Sequence, residues 1–366
     1  MHHPKDMAAD LLAKLTRLLR QQRIALASAT TLLVVGTVIG SLFLLTPPGR
    51  GEKVVLADFA KGGSLKRFAE DLEKKRVIRS QRLFVLYARL GGDASRLQAG
   101  TYRFTDGLSP AEIIREMARG EVYEQRFALP EGYSIYQVAE LLEGRKLFTR
   151  ERFLAACSDG KLLTELKLPG KSVEGYLYPS TYGIRPGMDE AATIRAMVGA
   201  FRKSVGEMLF KAPVPAGLTR HQIVILASVV EKEAVVAGEQ PLIASVFLNR
   251  LRKGMPLQSD PTAVYGVRAF AGKVRKADIQ RENPYNTYLI KGLPPGPIGN
   301  PSASAIKAVL QPATSPYLYF VARNDGTHQF STTLEEHNRA VSRYLKGKQP
   351  VAEIRNDNPN IAGRRR

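Results

Sequence analysis

The sequence predicts an α+β protein carried on a single N-terminal transmembrane helix. Three observations predict it. The run from Ile24 to Leu45 is uncharged. A strand–turn–helix pattern starts once near Gly62 and again near Gly132. An apolar helix over 219–234 sits among segments that alternate like strands. The composition agrees, with 44% hydrophobic and 24% charged residues, as in folded rather than disordered chains. At 366 residues the chain is long enough for more than one folded unit.

Residues 24–45 span about 33 Å as a helix, enough for a hydrocarbon layer of about 30 Å. The preceding segment carries Lys5, Lys14, Arg17, Arg20 and Arg23 against Asp6 and Asp10, and Thr46-Pro47-Pro48-Gly49 after the span is uncharged. The positive-inside bias therefore puts residues 1–23 in the cytoplasm and residues 46–366 beyond the membrane. A cleaved signal peptide is the rival. Its apolar region would be shorter and followed by a small-residue cleavage site, whereas this run ends in Leu44-Leu45-Thr46-Pro47. The expected location is the cell inner membrane, single-pass, with the bulk of the chain periplasmic.

Lys and Arg number 54 against 34 Asp and Glu, a formal net charge of +20 that favours anionic partners. Export argues against nucleic acid, and no zinc-finger spacing or RRM strand supports it. Lipid head groups and the carboxylates of a cell wall remain. Cys157, the single cysteine, excludes an intrachain disulfide and any CxxC site.

Beyond the anchor, Gly62-Gly63-Ser64-Leu65 opens a helix containing Ala69-Glu70, and Gly132-Tyr133-Ser134-Ile135 opens one containing Ala139-Glu140. In each copy a Gly turn precedes a Ser N-cap and an amphipathic helix. Lys75-Arg76-Val77-Ile78 and Arg145-Lys146-Leu147-Phe148 follow, then second helices near 82–90 and 151–156. Residues 100–104 and 122–129 alternate like strands, and Ser109-Pro110-Ala111-Glu112 caps a helix ending near Gly120. These units resemble LysM modules, which bind N-acetylglucosamine-containing glycans; a purely structural α+β spacer fits as well. Residues 46–165 are read as this peripheral region.

The chemistry is expected in residues 166–349. Thr219-Arg220-His221-Gln222 opens a helix whose middle is apolar all round, so it should be central and buried. Glu231 follows a long uncharged stretch. Desolvation there would raise its pKa toward that of a general acid. Glu233 lies about 200° further round the helix, so the two carboxylates should not share a site. On these grounds alone a structural Glu fits as well as a catalytic one.

The blocks around it bear more. Glu174-Gly175-Tyr176-Leu177-Tyr178-Pro179, Ser228-Val229-Val230-Glu231-Lys232-Glu233, Ser245-Val246-Phe247-Leu248-Asn249-Arg250-Leu251, Leu257-Gln258-Ser259-Asp260-Pro261-Thr262, Pro284-Tyr285-Asn286-Thr287-Tyr288, Gly292-Leu293-Pro294-Pro295-Gly296-Pro297 and Asp325-Gly326-Thr327-His328-Gln329-Phe330 stand in this order. Together they resemble the MltG/YceG-like family of endolytic murein transglycosylases. The resemblance implies Glu231 as the catalytic acid, peptidoglycan glycan strands as substrate, and 1,6-anhydro-muramyl ends as product. It implies no metal and no cofactor. Synthases of the wall are candidate partners.

Asn249, Gln258, Ser259, Asp260, Asn286, Thr287 and Tyr288 offer hydrogen bonds to sugar hydroxyls or acetamido groups, and Tyr265 and Tyr285 offer rings to stack on pyranose faces. Loop-fixing roles fit each of them equally. Asp260-Pro261 reads as a helix start, and Leu293–Pro301 as a rigid loop lining a cleft. His328 and His337 fit no usual ligand spacing and are expected to pack a strand at 317–321 against a last helix at 334–344. Residues 350–366 read as a disordered basic tail. Two rival functions remain. One is a non-catalytic, membrane-anchored peptidoglycan-binding protein. The other is a pyridoxal-phosphate lyase, which needs a phosphate cradle that the sequence near Lys232 lacks.

Overall fold

The computed structural model describes residues 4–215, 217–267 and 274–345; the expected basic tail at 350–366 lies outside them. The architecture is mixed helix and sheet. Helix α1 (Pro4–Leu45) starts well before the uncharged run. Its stretch Leu15–Leu45 has a mean hydropathy of 2.0 and is long and apolar enough to cross a membrane.

The chain divides into two compact units at Gln125/Arg126, with α1 and residues 185–187 counted with the first. The first unit pairs β1 (Val54–Phe59) antiparallel with β2 (Gly100–Thr105), Val55 facing Phe104 and Ala57 facing Tyr102. Helices α2 (Leu65–Lys74), α3 (Gln81–Leu90) and α4 (Pro110–Arg119) complete it. Their apolar faces meet the sheet in one core that includes Phe68, Leu72, Phe84, Tyr102, Phe104 and Met117. The Ser109 capping box and the left-handed Gly120 delimit α4 as the sequence predicts.

The second unit begins with β3 (Gln125–Ala128), α5 (Ile135–Gly144), α6 (Arg150–Cys157) and α7 (Gly160–Glu165). The sheet partner of β3 is β4 (Thr181–Ile184). There follow α8 (Glu190–Phe201), α9 (Glu207–Lys211), α10 (Arg220–Glu233) and α11 (Gln240–Arg252). Short helices α12 (Asp260–Val264) and α13 (Lys276–Gln280) lead to α14 (Ala303–Leu310). The hairpin β5 (Tyr319–Ala322) and β6 (His328–Ser331), then α15 (Leu334–Tyr344), end the described chain.

The internal repeat is real at the level of the backbone. Ser64 and Ser134 each precede the first helix of their copy. After that helix Arg76 (φ 58°) and Lys146 (φ 57°) both turn left-handed, and Val77 N and Leu147 N then bond back to Leu72 O and Leu142 O. The copies nevertheless fall in different units. Phe127, Ile135, Val138, Leu142, Phe153 and Cys157 belong to the same core as Val224, Leu226 and Phe247. A boundary at 165/166, as read from the sequence, would cut through that core, so residues 126–165 group with the second unit.

Candidate active site

Helix α10 positions the site. Thr219 and Gln222 form a reciprocal capping box at its start, and every side chain from Ile223 to Val230 is buried. It ends in three charged residues with different hydrogen-bond partners. Glu231 Oε2 accepts a hydrogen bond from Ser302 N at 3.0 Å and another from the Ser302 hydroxyl. Ser302 is the N-cap of α14 and is itself buried. Lys232 Nζ donates to Gln137 Oε1 at 3.3 Å. Glu233 Oε1 accepts from the Ser259 hydroxyl at 2.5 Å.

Glu233 lines a cavity. Its volume is about 460 Å³, and its lining includes Glu233, Arg250, Gln258, Asp260, Tyr288, His328 and His337, but not Glu231. Loss of hydration pushes the Glu233 carboxyl up to about 7, with the negative charge of Asp260 adding and the Ser259 hydrogen bond opposing. Asp260 accepts from Tyr288 Oη at 2.6 Å. Although α12 starts at Asp260, its N-cap is Ser259, so the carboxylate is left for the cavity rather than the helix end. Gln258 has a left-handed backbone (φ 54°), an uncommon and strained state for a residue with a Cβ. This turn brings Gln258, Ser259 and Asp260 against the end of α10.

The expected acid Glu231 and its neighbour Glu233 therefore have different partners. The sequence argument that Glu231 and Glu233 diverge holds. It is Glu233, however, that lies with the predicted binding residues Gln258, Ser259, Asp260 and Tyr288. Glu231 is engaged with the start of α14. The uncharged stretch before it and the family resemblance both pointed to the first carboxylate, Glu231. Burial here depends on the 256–260 turn packing over the second.

Other predicted contacts hold the framework. Asn249 Nδ2 donates to Ser315 O and Tyr317 O, both at 2.9 Å. Asn286, fully buried, donates to Ile279 O and Arg281 O. Thr287 Oγ1 accepts from Ser259 N at 3.0 Å and pairs with Thr262 Oγ1 at 2.8 Å, fixing the turn beneath Glu233. Tyr265 is buried and donates to Glu174 Oε2 at 2.8 Å. Tyr265 and Tyr285, with rings 4.6 Å apart, line a second cavity of about 330 Å³ together with Tyr136, Lys171 and Asn283. The loop 293–301, expected to line a cleft, is not part of the lining of these two cavities. Much of it is buried, with Ile298 N bonded to Ser228 Oγ at 3.0 Å.

Three residues stand out that the sequence did not single out for the site. Arg250 lies inside the larger cavity wall. Glu239 binds His328 Nδ1 at 2.7 Å. Glu174, 2% exposed, accepts from Ile135 N and Tyr265 Oη, and burial pushes it up to about 7. Glu174 stood in a noted block, but nothing in the sequence marked it as the buried acceptor joining α5 to Tyr265. His337 stacks on Tyr319 with ring centroids 5.3 Å apart, as the expected packing of strand on helix requires. Among the described residues no group of three His, Cys, Asp or Glu is placed to hold a metal ion.

A model of the YceG-like family matches residues 58–343. An endolytic murein transglycosylase of Bacillus subtilis is 31% identical over 336 residues, covering 87% of this chain and 92% of its own length. The chain belongs to the YceG-like family. The family match takes in the candidate side chains of both cavities, from Tyr136 to His337. An endolytic murein transglycosylase of Streptococcus pneumoniae R6 is 29% identical over 337 residues, and the match spans 83% of this chain but 61% of that longer relative. The crystal structure of a YceG-like protein from Listeria monocytogenes superposes with a TM-score of 0.54 at 31% identity, covering 79% of this chain and 99% of that one.

Proposed function

We propose that this YceG-like protein is an endolytic lytic transglycosylase that cuts glycosidic bonds within peptidoglycan strands, with Glu233 as its acid and base. The observation that carries the assignment is the Glu233 carboxyl, held near neutral pKa in a polar cavity. A carboxyl of that pKa is protonated often enough near pH 7 to donate, and basic enough afterwards to accept. Glu233 would protonate the oxygen leaving the muramyl anomeric carbon. Positive charge then spreads over the sugar ring, where the Asp260 carboxylate is a fixed countercharge. The Glu233 carboxylate next removes the proton from the same sugar's C6 hydroxyl, and that oxygen closes on C1. Ring closure within one bound sugar gains the usual intramolecular advantage. The products are a 1,6-anhydro-muramyl end and a free 4-hydroxyl on the departing sugar. No water enters the balance, so one carboxyl suffices where a hydrolase needs two.

In this reading α1 anchors the enzyme in the inner membrane. The paired strand–turn–helix copies hold glycan in the manner of LysM modules, and cleavage of nascent strands beside the wall synthases limits their length. The deciding experiment incubates wild-type, Glu233→Gln and Glu231→Gln proteins with purified uncross-linked strands and reads the ends by mass. Anhydro ends from wild type and Glu231→Gln, and none from Glu233→Gln, support the assignment. Full activity in a folded Glu233→Gln protein removes it. Glycan binding without any new ends from wild type would leave only a wall-binding protein.

A further inference from the structure

Arg250 is 7% exposed and lines the same cavity as Glu233. Its Nε donates to Leu318 O at 2.6 Å. Its Nη1 reaches Pro256 O, Leu257 O and Gln258 Oε1, each at 3.0 Å. Among the described residues Nη2 has no hydrogen-bond partner, and no carboxylate forms an ion pair with the guanidinium. The two carboxylates of the cavity are engaged elsewhere, Glu233 with Ser259 and Asp260 with Tyr288. Carbonyl oxygens satisfy N–H groups but do not cancel a unit charge. A cation taken out of water without a counterion is costly unless an anion arrives.

The surroundings keep that deficit in place. The Arg250 Cζ lies 5.0 Å over the Tyr319 ring, and the His337 ring stacks on the same tyrosine. Burial and the Arg250 charge hold His337 below the usual histidine range. His337 Nδ1 is buried without a partner among the described residues. Tyr319 and His337 thus pack around Arg250, and neither carboxylate of the cavity, Glu233 or Asp260, is its ion-pair partner.

We propose that Arg250 is a carboxylate-binding residue of the substrate cavity, engaging through Nη2 an acid group borne by the muramyl sugar or by its peptide. This rests on the transglycosylase reading above, which makes the ligand a glycan whose anionic groups are carboxylates. The planar guanidinium matches a carboxylate in shape as well as charge. Its place in one cavity with Glu233 gives the contact a purpose: it fixes the sugar relative to the acid. Two sources of the group exist, the lactyl carboxylate of strands stripped of peptide and the carboxylates of an attached stem.

The test measures kcat and KM of the full-length protein for anhydro-end formation. The substrates are stem-bearing strands, denuded strands, and each of these after conversion of its carboxylates to carboxamides. Amidation is expected to raise KM about 10- to 100-fold, the range for losing a charge-assisted hydrogen bond, with a smaller change in kcat. A rise on denuded strands assigns the group to the lactyl arm, and a rise confined to stem-bearing strands assigns it to the peptide. Arg250→Gln should treat native and amidated strands alike, and Arg250→Lys should keep part of the difference. Wild type that handles native and amidated strands equally overturns the proposal, as does a folded Arg250→Gln protein that retains the preference. The wild-type comparison needs no variant, so it decides even if Arg250→Gln does not fold. A wild type that makes no anhydro ends from any strand instead overturns the transglycosylase reading.

Discussion

Glu233 sets the predictions that belong to single residues. Replacing it with Gln keeps size and one acceptor for Ser259 but removes the proton. General acid–base help is worth about 10² to 10⁴ in rate, and one group serves both halves of this reaction, so Glu233→Gln should lose at least that much. Glu231→Gln should keep most activity and lose some stability, because Ser302 N and Oγ would share a neutral acceptor. The same carboxyl fixes a pH dependence. Glu233 is raised from the usual 4.5 to about 7 when folded. The folded protein therefore holds a proton between those values that the unfolded chain releases. Stability from this source is fully present below about pH 4.5 and is lost as pH rises through 7, at about 1.4 kcal/mol per unit of pKa shift. Melting temperature should fall from pH 5 to pH 8 in wild type, and fall less steeply in Glu233→Gln. Activity should decline above pH 7 as the acid ionises. The polar set Gln258, Ser259, Asp260 and Tyr288 was legible in the sequence. Which carboxylate they meet was not, because that depends on the left-handed turn at Gln258.

At the scale of elements, caps and turns were the most legible features. Thr219 and Ser109 begin their helices where the hydroxyl-to-glutamine or hydroxyl-to-glutamate spacing predicts, since these contacts are local. Packing between distant segments was not legible. Gly175 shows why. Its backbone is left-handed (φ 85°), and a Cβ there would lie 2.6 Å from Pro297 Cγ and 2.9 Å from Val224 Cγ1. The glycine lets the Glu174 segment pass between the proline-rich loop and α10, and that closeness brings Glu174 to its donors. Gly175→Ala would meet a proline ring and a buried helix, neither free to swing aside. Overpacking costs about 1–3 kcal/mol, and the left-handed backbone adds about 1–2 kcal/mol. Thermal denaturation should show a large drop in melting temperature. Gly187→Ala has a similar φ but nothing within 4 Å, so it should carry the backbone cost alone. Equal melting temperatures for the two variants would refute the packing argument.

For the whole molecule, the compact unit that holds the candidate site begins at Arg126, whereas the sequence reading starts the catalytic domain at 166, and truncation tests which residues catalysis needs. The repeat suggested that both strand–turn–helix copies form one peripheral region ending at 165. Similar local sequence, however, does not decide which core a module joins. Leu142, Val138 and Phe153 are each fully buried, in the same cluster as Val224, Leu226 and Phe247 beneath the site. Burying a Leu, Val or Phe side chain is worth about 1.5–3 kcal/mol relative to leaving it exposed. Removing residues 126–165 strips several such side chains from that cluster and also removes Ile135 N, a donor to the buried Glu174. The loss is comparable with the usual margin of about 5–15 kcal/mol for a domain. A fragment of residues 126–345 should therefore be soluble, melt cooperatively, and produce anhydro ends at a rate set by Glu233. A fragment of residues 166–345 should aggregate or unfold. Circular dichroism melts and the end-group assay on the two fragments check this directly. A shorter fragment that melts cooperatively and cuts glycan would place the first copy and the second together outside the catalytic core, as the repeat alone suggests.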